Sequence, residues 1–253
     1  MQESNNNINI QDLLEAGVHF GHLRSKWDPQ MAPYIFMEKN GIHMIDLNKT
    51  ARKLEEAAAA IKNIARSGRK IMFVATKKQA KEIVADAARR VGMPYVTDRW
   101  LGGMLTNFST VRKSIKKMSN IDRMNADGTV NNMAKRERLM LMREREKLER
   151  MLGGINDLSR LPAALFIIDI KKEHIAVAEG TKLNLTTFGI VDTNANPNIV
   201  DYPIPANDDA TKSIAYITNY IANAIEEGLQ ERKKSKDVKE EDVQAETAST
   251  EQE

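Results

Sequence analysis

Residues 71–91 read IMFVATKKQAKEIVADAARRV. Five apolar residues, Ile71 to Ala75, precede a polar corner, and a helical pattern follows. A short continuous apolar run marks a strand covered on both faces, because a strand with one wet face would alternate. Behind it, Ala80, Ile83, Val84, Ala87 and Ala88 recur at helical spacing. They predict a helix from about Lys78 to Val91, opened by Lys77-Lys78 and stopped at Gly92.

The same unit recurs in both directions. Upstream, Leu54, Ala57, Ala58, Ile61 and Ile64 predict a helix capped by Asp46 or Asn48 and ending at Gly68. Before it, Tyr34-Ile35-Phe36 and Ile42 to Ile45 flank Asn40-Gly41, a hairpin dipeptide because both residues tolerate positive φ. Downstream come a short strand at Tyr95-Val96, a buried strand at Leu165 to Ile168, and a helix from His174 to Leu183. A strand at Thr187 to Val191 follows, and then a helix from about Asp208 to Glu227 carrying Ile214, Ile217, Ile221 and Ile225. Strand–helix repeats with continuous apolar strands predict an α/β fold with a doubly wound parallel sheet.

Thr106 to Leu158 interrupts the repeats. Phe108, Val111, Ile115 and Met118 step by three and four, and Leu141, Leu148 and Ile155 stand seven apart after Asp127-Gly128. Arg and Glu fill the outer face. This predicts two antiparallel helices whose arms of about 20 residues reach roughly 30 Å. Such a hairpin leaves apolar surface over, so it packs on its own domain or on a partner. Residues 1–105 and 159–228 are then one discontinuous α/β domain, 106–158 an inserted helical hairpin, and 229–253 a charged tail without hydrophobic periodicity, expected to be disordered.

The formal net charge of the 253 residues is only +3, yet it is unevenly placed. Residues 61–120 carry 14 basic against 3 acidic side chains, and residues 161–230 carry 4 against 9. A block that cannot neutralise itself points to a polyanion as partner. The absence of Cys excludes a disulfide scaffold, a thiolate zinc site and a cysteine nucleophile, and fits a reducing, cytoplasmic compartment. No run is long enough to span a membrane, and polar Met1 to Ile10 is unlike a signal peptide.

Catalytic templates are missing: there is no G-x-G-x-x-G, no P-loop, no G-x-S-x-G and no H-E-x-x-H. His19 and His22 have the spacing of two ligands on a helix but bring no third, so structural hydrogen bonding is the favoured reading. Asp169 and Asp192 follow buried strands, where open α/β sheets place ligands. They read as a magnesium or phosphoryl-transfer site, or as a helix cap and a turn anchor. The second reading is favoured because neither brings a nucleophile or a lysine at a known spacing. Trp27 and Trp100 either stack on bases or fill packed turns.

Gly17-Val18-His19-Phe20-Gly21-His22, Trp27-Asp28-Pro29, Thr76-Lys77-Lys78-Gln79-Ala80 and Arg99-Trp100-Leu101-Gly102-Gly103-Met104-Leu105-Thr106-Asn107 stand in order along the chain. Leu152-Gly153-Gly154-Ile155, Asp192-Thr193-Asn194 and Asn207-Asp208-Asp209-Ala210 follow. From about Asp12 to Glu227 the sequence resembles the bacterial small-subunit ribosomal protein S2 family. Two positions depart from the family pattern: Ala163 after Pro162 and Asn196 before Pro197 stand where acidic residues are usual. Either change adjusts a local cap or turn.

The resemblance implies a flavodoxin-like sheet with an inserted coiled-coil hairpin, no enzymatic activity and no cofactor or metal. It implies binding to small-subunit ribosomal RNA near the junction of head and body, contacts with neighbouring ribosomal proteins, and in many bacteria help in tethering the messenger-binding protein S1. The matched positions expected to touch RNA are His22, Arg24, Lys77, Lys78, Arg99, Arg112 and Lys116. Lys113 and Lys117 lie beside them on the hairpin. Most contacts should fall on phosphates and 2′-hydroxyls, because the major groove of duplex RNA is too narrow for side chains.

Overall fold

The computed structural model describes the backbone of residues 8–250 and the side chains of most of residues 8–235. The polar start of the chain and its last three residues lie outside the described residues. In chain order the elements are α1 (Ile10–Glu15), β1 (Phe20–Leu23), β2 (Ile35–Lys39), β3 (Ile42–Ile45), α2 (Leu47–Arg66), β4 (Ile71–Val74), α3 (Lys81–Arg90) and β5 (Tyr95–Val96). Then come α4 (Phe108–Ala126), α5 (Lys135–Leu152), β6 (Ala164–Ile168), α6 (His174–Lys182), β7 (Thr186–Val191), β8 (Tyr202–Pro205) and α7 (Thr211–Thr250).

Five strands form one parallel sheet in the order β5-β4-β6-β7-β8, the flavodoxin-like order. Every residue of β4 and β6 is buried, as their unbroken apolar runs require. Phe73, Phe166, Phe188 and Ile190 face a core closed by Leu54 and Ile61 of α2 and by Ile214, Ile217 and Ile221 of α7. Met72, Val74, Leu165 and Ile167 face the other side, against Trp100, Met104, Leu105, Leu152 and Ile155. Burying each such aliphatic side chain contributes about 1.5–3 kcal/mol, so the two faces share the stabilisation of the sheet.

Two strands went unread in the sequence. In β8, Pro203 and Pro205 cannot donate to a ladder, and the strand forms because it lies at the sheet edge beside β7. The strand β1 completes a small antiparallel sheet, β1-β3-β2. Its hairpin turns at Asn40 and Gly41, whose φ angles are 55° and 76°.

Between β5 and β6, α4 and α5 form an antiparallel pair. Their base packs on the second core through Phe108, Val111, Ile115, Leu148 and Met151. Farther out, Leu139, Met140 and Met142 stay exposed.

The expectation of disorder from residue 229 is corrected by α7, which runs helical to Thr250. Leu229 packs against the first core, and Glu231 reaches Lys62 at 2.8 Å and Arg66 at 3.8 Å. These anchors carry the helix past the last hydrophobic repeat, and the Lys-, Glu- and Gln-rich sequence beyond has good helix propensity.

Candidate nucleic-acid interface

The carboxyl ends of the strands gather a charged cluster. Lys77 follows β4, Asp169 follows β6, Asp192 follows β7, and Asp208 and Asp209 follow β8. The Lys77 ammonium lies 3.2 Å from Asp169, 2.7 Å from Asp208 and 2.6 Å from Asp209, with its side chain only 13% exposed. Burial works against its charge, but the three carboxylates outweigh that and hold its pKa above the ordinary lysine value. Asp208 is pushed up, first by burial and then by the charges of Asp192 and Asp169, against the pull of Lys77.

His22 joins this cluster from β1. Its Nδ1 is 3.1 Å from Asp192 and its Nε2 3.5 Å from Asp209, while its backbone N–H donates to Thr193 Oγ1 at 2.8 Å. The hydrogen bond to Asp192 raises the His22 pKa above 6.5, burial opposes, and the charges of Asp192, Asp208 and Asp209 add to the rise. The imidazole thereby pins the small antiparallel sheet to the large one. His22, Asp208 and Asp209 offer ligand atoms within 4.8 Å of one another, and the Lys77 ammonium already sits on both carboxylates. His19 instead lies against Phe20, the rings tilted by 37° with centroids 4.1 Å apart.

The two carboxylates weighed for phosphoryl transfer have structural duties. Asp169 accepts from the Lys172 N–H at 3.0 Å with its side chain and from Glu173 N–H at 3.0 Å with its carbonyl, opening the turn before α6. Asp192 accepts from the Thr193 N–H at 2.5 Å and from the Asp208 N–H at 3.4 Å. Both oxygens are thus committed to turns, in keeping with a non-catalytic site.

The lysine pair lies differently from its expected place. The helix α3 starts at Lys81, and Lys77 and Lys78 occupy the turn before it, with the Lys77 carbonyl accepting from Ala80 and Lys81 at 2.9 and 3.1 Å. That turn sends Lys77 inward and leaves Lys78 exposed.

The remaining expected positions lie on the surface. Arg99 is exposed in the loop leaving β5, and Arg112, Lys113, Lys116 and Lys117 are exposed along α4. Among the described residues, Lys78, Arg99, Arg112, Lys113 and Lys116 carry no ion pair. Lys117 pairs with Glu144 across the hairpin, and Arg24, 71% exposed, pairs with Glu38 at 3.3 Å. Trp100 is buried in the second core. Trp27 is partly exposed beside His43, ring centroids 5.1 Å apart.

The family model described as Ribosomal protein S2 matches residues 13–228. The chain belongs to the ribosomal protein S2 family. It is 64% identical over 230 residues to small ribosomal subunit protein uS2 of Cytophaga hutchinsonii, covering 91% of each chain. It is 63% identical over 229 residues to that of Parabacteroides distasonis, covering 90% of this chain and 82% of the relative. With that of Flavobacterium johnsoniae the identity is 62% over 233 residues, 92% of each chain.

One residue that shapes the candidate interface was not singled out in the sequence. Glu179, on α6, is buried beneath the loop that carries Arg99. Its carboxylate accepts from Trp100 Nε1 at 3.1 Å, from the N–H groups of Gly103, Leu105 and Thr106 at 2.8, 2.9 and 2.9 Å, and from Thr106 Oγ1 at 3.1 Å. Burial alone would raise its pKa, but these donors win and hold it below the ordinary carboxylate value. An isolated Glu in an apolar stretch reads as solvated, and its partners lie more than seventy residues away. Only the loop's run of free N–H groups before α4 hinted that an acceptor was needed.

Proposed function

We propose that the chain acts as a non-catalytic RNA-binding constituent of the small ribosomal subunit, in the cytoplasm, and that Arg24, Lys78, Arg99, Arg112, Lys113, Lys116 and Lys117 contact ribosomal RNA. Membership of the ribosomal protein S2 family makes it a structural protein of the small subunit. The observation that carries the RNA reading is the row of exposed cations Arg99, Arg112, Lys113 and Lys116 on α4 and its entry loop, which carry no ion pair among the described residues. His22 and Lys77 support that surface from within, holding β1 and the turn before α3 in place through shared carboxylates. Among the described residues no helix is long and apolar enough to cross a membrane.

The test is binding of the full chain to small subunits assembled without it, as a function of salt. Each phosphate contact contributes about 0.7–0.9 to the slope of log affinity against log salt. Replacing Arg112, Lys113 and Lys116 by Gln should remove about two units of slope. A full chain that fails to bind these particles even at low salt sinks the reading.

A second reading adds a protein partner. The hairpin, residues 106–158, leaves Leu139, Met140 and Met142 exposed on α5, with Met140 63% accessible. This apolar strip supports neighbouring ribosomal proteins, S1 among them, as occupants of the arm. A variant lacking 106–158 that keeps RNA binding but loses the protein neighbour would support it.

A further inference from the structure

The basic segment 61–120 does not gather on one surface. Part of it lies at the opposite, amino end of the sheet, where three elements meet in a closed triangle. The Lys70 ammonium donates to the Gly92 carbonyl at 2.7 Å, joining the loop after α2 to the end of α3. Arg90 donates to Asn223 Oδ1 at 2.9 Å, joining α3 to α7. Arg232 of α7 lies directly over Gly68, where a Cβ would come 2.1 Å from its Cζ. Gly68, with φ of 77°, thus both ends α2 and leaves the space that the guanidinium fills.

The partners of these cations set them apart. Lys70 and Arg90 are fixed by neutral acceptors, and Arg69 donates to Ser67 Oγ at 3.0 Å. A neutral acceptor orders a cation without cancelling its field. Arg89 pairs with Asp86 at 2.6 Å and lies over the Tyr95 ring, 5.6 Å from its centroid. Of the nearby acids among the described residues, Glu231 is turned toward Lys62 and Arg66, and Glu226 shares a depression with Arg90, Arg232 and Lys233. Cations in a helix's last turn complement its dipole, which accounts for Arg66, Arg89 and Arg90. It does not account for Arg69 and Lys70, which lie past the end of α2, or for Arg232 and Lys233 within α7.

We propose that this amino-end patch, centred on Arg69, Lys70, Arg90, Arg232 and Lys233, is a second RNA surface that grips the phosphate backbone. Guanidinium groups on rigid elements suit phosphate oxygens, which they bind bidentately. The patch rests on the RNA-binding reading above, and it makes α7 part of the interface.

The experiment replaces Arg69, Lys70, Arg232 and Lys233 together by Gln in the full chain. Binding to small subunits assembled without the chain is measured from about 50 to 200 mM salt, and thermal melting is recorded alongside. A protein that still melts in one cooperative transition above the assay temperature, with about tenfold or greater loss of affinity and a slope smaller by about two to three units, is the expected result. Unchanged affinity and slope overturn the proposal; if the α4 variant still binds more weakly, RNA binding itself stands. Wild-type protein that fails to bind the particles overturns both. In assembled subunits, crosslinks from Lys70 and Lys233 that run only to protein also overturn it, replacing RNA with an acidic protein neighbour.

Discussion

The two ends of the parallel sheet carry cations from one sequence segment and treat them in opposite ways. At the carboxyl end, Lys77 is ringed by Asp169, Asp208 and Asp209, and His22 bridges Asp192 and Asp209. At the amino end, Lys70, Arg69 and Arg90 are fixed by a carbonyl, a hydroxyl and an amide. The first arrangement ties chain segments together and leaves no surplus positive charge to face outward. The second holds charge ready for something external. A surplus of basic residues in a sequence therefore says that a field exists, while the partner atoms say where it points.

The sharpest way to break this contrast is Lys77→Met. It leaves buried Asp208 and Asp169 without their counter-charge and should cost about 3–5 kcal/mol, read as a large fall in melting temperature. Adding Asp208→Asn should restore part of the loss. A Lys77→Met protein as stable as wild type would mean that the carboxyl end does not depend on its ion pairs.

Gly68→Ala probes the other end. A Cβ there meets the strain of a left-handed backbone and the Arg232 guanidinium, so stability should drop by about 1–2 kcal/mol. RNA affinity should weaken as well, because Arg232 is displaced. Stability loss with unchanged affinity at low salt would separate α7 from the interface.

The smallest effect is a pH dependence. The folded state raises the His22 pKa, so its contribution is fully present below about pH 6.5 and fades as pH rises through the raised value. Chemical denaturation should show wild type losing roughly 1 kcal/mol more than His22→Gln between pH 6 and pH 8.5. Equal losses would assign the pH dependence to other groups.

The fold was legible where one physical cause dominated. Buried β4 and β6 announce themselves by unbroken apolar runs, and the Asn40-Gly41 turn by its dihedral demands. The strand β8 was hidden because its prolines argue against a strand unless its edge position is known. Glu231 looks like the start of a solvated tail until α2 is seen beside it, where Lys62 waits. The site was legible in composition but not in allegiance. Lys77 and Lys78 are adjacent and identical in type, and one turn of backbone sends the first to buried aspartates and the second to solvent. Their fates depend on residues more than ninety positions away, which spacing rules do not reach.

The Glu179 carboxylate also has a mechanical consequence. It fastens the root of a lever. The 18 residues of α5 extend about 27 Å at 1.5 Å each, so a 10° tilt at the root displaces the tip by roughly 5 Å. That displacement approaches the spacing between successive phosphates, so slack at the pivot would slide the arm's cations out of step with the RNA backbone proposed as their partner. Five donors on one carboxylate give the joint its angular tolerance.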